Sequence, residues 1–323
     1  MSAQPWLSVI LPTFQGERHL PRALESLAVQ ADALRDVLAA DDGSTDGTLA
    51  LLDRWRDRLP LRILPGPRAG NWVRGTNRAL AEARGDWISL LHQDDAWQPQ
   101  RVQALDALRA EFPTVGMFVT SARFWDDADR DLGRWGCPLP ARRPLAPAFT
   151  LPRLATQNFI PLPAPCLRRD LAAAAGPLDE TLWYFADWDW WLRLAARGPL
   201  VYTPMPTVAF RLHPDSQTAR RTRDVSDVMA QFDAVQNRLM ADPAFPPGRR
   251  AAARRMARFA RCAYAQLLAA AHGARPDIRA LLREALRLGP LGCLRYARDA
   301  RLADRLPPRR RLRRLGRLTG GAA

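Results

Sequence analysis

Five short apolar runs, each closed by a polar break and most followed by a stretch of helical period, constrain the fold of this 323-residue chain. They are LSVILPTF (7–14), DVLAA (36–40), LRIL (61–64), DWISLL (86–91) and VGMFVTS (115–121). Between them, residues 20–31, 48–58, 73–84 and 99–111 read as helices, the first with Leu20, Leu24 and Leu27 on one side. Strands that alternate with helices through short connections pack as a mostly parallel sheet with helices on both faces. Ligands of such sheets collect beyond the carboxyl ends of the strands. Thr13, Asp41, Asp42 and Asp94 all follow expected strands, so three strand ends place polar residues on one edge.

The end of the fourth run raises a chemical question, because WISLL is followed by His92, Gln93, Asp94 and Asp95. A turn or helix cap accounts for one carboxylate. Two adjacent carboxylates resist ionising together. They suit Mg2+ or Mn2+ held by one carboxylate plus substrate phosphates. A solvent-facing strand end stays open as the plainer reading. His92 reads as a metal ligand, a phosphate donor or a polar cap, and His213, in RLHPDS, is a second candidate on the same terms. DDGSTDGT (41–48), taken alone, reads as a tight turn capping a helix. It is no GxxxxGK phosphate loop, since the chain has no lysine, and no GxGxxG.

Charge is uneven along the chain. The net charge is +15, yet residues 249–317 hold 20 arginines against four acidic residues, a net of +16 that leaves about −1 for the rest. Nucleic-acid phosphates would attract such a region. No helix-turn-helix, zinc spacing or RNA-reading aromatic motif accompanies it, so no specific nucleic-acid partner is expected. The four cysteines form no CxxC pair and suggest neither a zinc site nor a disulfide framework. Without a secretory leader pattern or an apolar run of membrane-spanning length, a cytoplasmic location is expected. Residues 126–165 are rich in proline and read as irregular loops. In TLWYFADWDWWLRLAARG, Leu182, Phe185, Trp188, Trp191, Leu192 and Ala195 recur at helical spacing, with Asp187 among the aromatics. From about residue 224 the chain reads as mainly helical, including two basic helices separated at Pro290.

SVILPTF, DDGSTDGT, GN…N…A…ARGDWISLLHQDD, FADWDWWLRLAARG and FRLH, in this order over residues 7–216, resemble the family 2 glycosyltransferases of GT-A fold. The likeness is strongest to non-processive bacterial members that build lipopolysaccharide, capsule or exopolysaccharide. The QxxRW element of the processive synthases is absent. The resemblance implies a GT-A catalytic domain over 1–220, with the nucleotide-sugar half at 1–120 and the acceptor side at 121–220, and a helical arginine-rich extension over 221–323. It puts Pro12, Thr13, Asp41 and Asp42 beside the nucleotide, with His92 and Gln93 on the nucleotide-sugar side. Asp94 becomes the metal ligand and Asp187 the catalytic base, with His213 near the metal and diphosphate.

Three departures from the family pattern stand out. His92 occupies a position that is commonly aspartate, and Ala186 one that is usually glutamate. Thr76 stands where many members have an arginine before the asparagine that matches Asn77, which leaves Arg74 as the substitute. Arg193 reads as a structural ion-pair partner. Trp188 and Trp190 read either as acceptor-side platforms that stack on a sugar or as core.

The implied chemistry is direct, inverting transfer from a nucleoside diphosphate sugar to a hydroxyl of a saccharide or lipid-linked saccharide acceptor. Sugar-phosphate nucleotidyl transfer and a basic, non-catalytic nucleic-acid-binding protein are the alternatives. A last expectation concerns anionic membranes. Leu281, Leu282, Ala285, Leu286, Leu288, Leu291 and Leu294 alternate with Arg279, Arg283, Arg287, Arg295 and Arg298, and PPRRRLRRLGRL (307–318) follows. That pattern suits peripheral contact with anionic headgroups. An ordinary amphipathic helix followed by a basic tail has the same pattern.

Overall fold

The computed structural model of the protein describes residues 5–300. It has two compact units, one made of the residues up to 146 with 160–211, the other of 147–159 with the residues from 212 on. In the first unit β1 (Leu7–Thr13), β2 (Asp36–Asp41), β3 (Leu61–Leu64) and β4 (Trp87–Leu90) run parallel in the order β3-β2-β1-β4. β1 and β2 are buried along their whole length, as unbroken apolar runs should be. Strand periodicity sorts their side chains onto two faces. Leu7, Val9, Leu11, Val37 and Ala39 join one core cluster with Leu20, Leu24 and Leu27 of α1 (Leu20–Ala28) and Leu51 and Leu52 of α2 (Thr48–Arg54). On the other face, α3 (Trp72–Glu82) sets Gly75 against Ala40 and Pro12.

α4 (Arg101–Glu111) adds Val102, Leu105 and Leu108 to the first cluster. Beyond β4 the sheet becomes mixed. It continues through β5 (Ala96–Trp97), β6 (Met117–Trp125), β7 (Asp131–Trp135), β8 (Pro144–Leu145), β9 (Pro165–Arg168) and β10 (Leu200–Arg211). β9 lies antiparallel between β4 and β6, whereas β10 is parallel to β6. At the amino end of β4, Gly85 comes so close to Ser8 that a Cβ would lie 2.5 Å from the Ser8 nitrogen. The Ser8 hydroxyl accepts from the Gly85 N–H at 2.8 Å and donates to Asp36 at 2.5 Å, which locks β4 to β1.

The stretch 126–165, expected to be irregular, carries β7, β8, α5 (Pro147–Leu154) and β9. Pro144 and Pro165 open strands and Pro147 opens a helix, where the missing N–H breaks no ladder, whereas Pro152 lies inside α5 and leaves one helical bond unmade. The expected division at residue 220 compares with a second unit that resumes at 212 and draws in 147–159. Gln236 ties that segment in by donating to the Ala155 carbonyl at 2.7 Å.

α6 (Arg169–Ala175) and α7 (Ala186–Arg197) complete the first unit. The second adds α8 (Gln217–Arg221), α9 (Val225–Ala241), α10 (Arg250–Ala271), α11 (Ile278–Leu288) and α12 (Pro290–Asp299). α9 buries Val228, Phe232, Val235 and Leu239 at helical spacing, and α10 buries Ala253, Met256, Ala257 and Ala260. Gly289, at φ +77°, makes the corner before Pro290. Among the described residues no helix is long and apolar enough to cross a membrane. The basic segment 307–318 lies outside the described residues.

Candidate active site at the carboxyl edge of the sheet

Thr13 and Asp41 sit opposite each other where β1 and β2 end. Asp41 is fully buried. It accepts from the Thr13 hydroxyl at 3.0 Å, the Ser44 N–H at 2.8 Å and the Ser44 hydroxyl at 2.6 Å. Asp42 accepts from the Ala69 N–H at 2.6 Å and the Gly70 N–H at 3.0 Å, and pairs with Arg68. The Arg68 guanidinium also lies 3.4 Å above the Phe14 ring. Asp46 accepts from the Thr48 N–H and hydroxyl and from the Glu17 N–H. Desolvation pushes the Asp46 pKa upward, but these bonds outweigh it and hold the carboxyl below its usual range. DDGSTDGT is thus a turn whose carboxylates are matched to donors, as its composition predicts.

The end of β4 differs. Gln93 uses both ends of its amide on Phe14, accepting from its N–H at 2.8 Å and donating to its carbonyl at 2.9 Å. That ties β4 to β1 and engages both ends of the Gln93 amide, expected on the nucleotide-sugar side, with the backbone of Phe14. His92 packs edge-on against Trp72 at 4.9 Å, and its buried Nε2 has no hydrogen-bond partner. Burial lowers its pKa to about 4, against the pull of the Asp94 carboxylate, so the imidazole is neutral at physiological pH. Asp95 is buried, and desolvation raises its pKa well above the carboxylate range despite the Arg211 N–H, which donates to it at 3.0 Å. Arg211, itself buried, also donates to the carbonyls of Asp94 at 2.8 Å and Asp126 at 3.0 Å and pairs with Asp129 at 2.5 Å. Asp94 is left partly exposed at the strand end.

α3 ties this edge to the segment that carries Asp187. The Trp72 indole that packs on His92 donates to the Trp183 carbonyl at 2.9 Å. Asn71 donates to the Glu180 carbonyl at 3.0 Å. Asn77 donates to the Leu178 carbonyl at 2.9 Å and accepts from the Leu178 N–H at 2.9 Å. Arg74 pairs with Glu180 at 3.6 Å. Asn77 and Arg74, expected beside the donor, are thus turned toward residues 178–180. α7 follows, with Asp187 in its first turn, where the helix dipole favours a carboxylate, and the Trp188 N–H donates to it at 2.7 Å. Trp188 and Trp190 are 1% and 0% exposed. Of the two readings open for them, their burial matches core packing: Trp190 donates to the Gly176 carbonyl and Trp188 packs on Phe185. Arg193 pairs with Asp189 at 2.8 Å.

Asp94, beside a neutral imidazole with an unmatched buried nitrogen, is a donor set that fits a hard or borderline divalent ion. A second imidazole–carboxylate pair, His19 with Asp127 at 3.4 Å, was not anticipated from sequence. His213 is buried and belongs to the second unit. Trp72, Asn71, Arg68, Glu180 and Arg211 were likewise not anticipated.

Residues 8–137 match the family described as glycosyl transferase family 2. An uncharacterized protein of Mycobacterium tuberculosis, MT1568, is 30% identical over 263 residues, spanning 78% of this chain and 81% of that protein. A PGL/p-HBAD biosynthesis glycosyltransferase of the same species is 29% identical over 209 residues, spanning 64% and 76%. Among solved structures, Staphylococcus aureus TarS 1–349 in complex with UDP-GlcNAc aligns at TM-score 0.68 and 14% identity over 86% of this chain and 79% of that one. The mannosyltransferase PcManGT from Pyrobaculum calidifontis, in complex with GDP-Man and Mn2+, aligns at 0.57 and 20% over 93% and 85%. At these identities the structural likeness speaks to the fold.

Proposed function

This chain belongs to glycosyl transferase family 2, and on that premise we propose that it moves a sugar, with inversion, from a nucleoside diphosphate sugar to a hydroxyl of a saccharide or lipid-linked saccharide during the making of a cell-surface polysaccharide. One observation carries the reading. Thr13 faces Asp41 across β1 and β2, while β4, on the other side of β1, ends in His92 and Asp94. Its relatives support it: a biosynthetic glycosyltransferase, and structures in complex with UDP-GlcNAc or with GDP-Man and Mn2+.

In this reading Pro12, Thr13 and the Asp41–Asp42 turn flank the base and ribose, and Asp42 reaches a base by exchanging its Arg68 cap. Asp94, with His92 beside it, holds Mg2+ or Mn2+. Such an ion, when bound, stabilises the charge that develops on the leaving diphosphate. Asp187 accepts the proton of the acceptor hydroxyl as that oxygen bonds to the anomeric carbon and the bond to the diphosphate oxygen breaks. The Trp188 N–H orients the Asp187 carboxylate, and the α3 contacts hold the segment that delivers it. The location in this reading is cytoplasmic, with peripheral contact at an anionic membrane.

The test is release of nucleoside diphosphate from a panel of sugar donors with Mg2+ or Mn2+ and a verified acceptor. Asp187→Asn should keep donor binding and lose about 10²–10⁴-fold in turnover. An unchanged rate would overturn the base assignment. Pyrophosphate as the product would favour nucleotidyl transfer instead.

A further inference from the structure

Among the described residues, the second unit buries the apolar side of α9 and leaves that of α11 and α12 open. On α11, Ile278, Leu282 and Leu286 are 56%, 59% and 83% exposed, and on α12, Leu291 and Leu294 are 81% and 68% exposed. The other side of this pair is packed: Tyr296 and Ala300 are buried, and Cys293 donates through its thiol to the Ala285 carbonyl. The open leucines are therefore not a misplaced core. So many large apolar groups within two short helices mark an interaction surface.

The arginines identify the partner. Ile278, Leu282 and Leu286 repeat every four residues and form one stripe along α11. Arg279, Arg283 and Arg287 repeat one position further on, so a cationic stripe runs alongside the apolar one. All three are exposed, and among the described residues Arg279 and Arg283 have no ion-pair partner, while Arg287 pairs with Glu284. On α12 exposed Arg295 and Arg298 follow the leucines. A partner must offer an apolar layer and anions side by side. Nucleic acid has the phosphates without the apolar layer, and an apolar protein groove has the reverse. An anionic bilayer surface has both at the depth where an amphipathic helix lies.

We propose that α11 and α12 dock on an anionic lipid surface, with Ile278, Leu282, Leu286, Leu291 and Leu294 at the headgroup–acyl boundary and Arg279, Arg283 and Arg287 on lipid phosphates. This deepens the transferase reading by naming the surface through which a lipid-linked acceptor would be met. The full chain is sedimented with vesicles of phosphatidylcholine alone and of phosphatidylcholine with phosphatidylglycerol, without any sugar donor. The expected result is an anionic preference of about tenfold or more, screened by salt. Combined Leu282→Ser, Leu286→Ser, Leu291→Ser and Leu294→Ser substitutions should abolish pelleting even at low salt. Arg279→Gln, Arg283→Gln and Arg287→Gln together should erase the anionic preference. Because these side chains are exposed, the unfolding midpoint should not move in either variant, which circular dichroism checks.

Wild-type chain that ignores anionic vesicles would overturn the proposal. Leucine variants that pellet like wild type would do the same, assigning the binding to arginines elsewhere. So would a wild-type dimer that the leucine substitutions make monomeric, since a second copy would then cover the stripe. Release of nucleoside diphosphate with a soluble acceptor should be unchanged in both variants. Failure on vesicles therefore leaves the transferase reading standing, and failure of donor turnover leaves the vesicle result standing.

Discussion

The turn after β2 and the strand end after β4 lie on the same sheet edge, flanking β1, yet they treat their polar groups in opposite ways. In the turn, Asp41, Asp42 and Asp46 are surrounded by hydroxyls, backbone N–H groups and Arg68. After β4, a neutral histidine keeps an unmatched nitrogen, and Asp95 is buried with its pKa pushed up. Buried polar groups in native proteins are nearly always matched, so an exception calls for a reason. The more conspicuous motif thus has its carboxylates matched by its own local bonds, while the less regular one leaves a buried imidazole nitrogen unmatched, which is where the proposed function puts the metal. Density of carboxylates in a sequence marks either case. The hydrogen-bond inventory separates them.

Substitution should break this contrast or sharpen it. Between these two loops, the largest effect is expected at the proposed metal ligand. Asp94→Ala should lower transfer by about 10²–10³-fold, the scale of removing one electrostatic stabiliser of a transition state, with little change in the melting of the metal-free protein. A fall in stability that matches the fall in activity would make Asp94 part of the scaffold too.

Next comes His92, measured in chelator so that bound metal plays no part. Its folded pKa, about 4, lies below the ordinary value of 6.5, so the unfolded chain takes up the extra proton between those limits. Stability from the neutral imidazole is complete above 6.5 and is lost as pH falls toward 4, in all about 3 kcal/mol. Asp95 works in the opposite sense: its raised pKa means stability is lost as pH rises above the usual carboxylate range. The histidine part is therefore read as a difference between wild type and His92→Asn. Denaturant unfolding should show that difference shifting by about 3 kcal/mol between pH 7.5 and 4. Parallel curves would contradict the neutral imidazole.

The smallest effect tests the scaffold. Asp41→Ala strands the Thr13 and Ser44 donors and should cost about 2 kcal/mol in unfolding free energy. Turnover per folded molecule should fall far less than in Asp94→Ala, because Asp41 shapes the turn beside the nucleotide and is assigned no proton or metal to hold. A stable Asp41→Ala protein without activity would erase the distinction between the two loops.

How far the sequence could be read follows from the range of the forces involved. β1, β2, β4 and the helices between them were legible because burial on both faces imposes unbroken apolar runs and packing on one face imposes helical period. β7 was not, because an exposed edge strand, DLGRW, shows neither signal. α5 was hidden by Pro147 and Pro152, which count against a helix until their positions are known. At the site, the turn DDGSTDGT was legible as a turn because its bonds are local. The commitments of Asn77 to Leu178 and of Gln93 to Phe14 join residues 101 and 79 positions apart, and no local pattern announces them. The depth of Trp188 and Trp190 was hidden for a related reason, since an aromatic beside a carboxylate reads the same in a sugar site and in a core. His92 was noticed as a departure from the family pattern, but its missing partner is a property of everything packed around it.

The bonds from α3 to residues 178–183 have a consequence for recombination. Exchanging the stretch that carries Asp187, residues 178–197, for that of another family member would look like a cassette swap designed to change acceptor preference. The incoming carbonyls would arrive opposite Asn71, Trp72 and Asn77, and a relative whose α3 begins differently would bring a loop with no matching donors. Residues 71–77 and 178–183 are joined by these bonds across a long stretch of sequence, so a productive chimera should carry both stretches across the junction together.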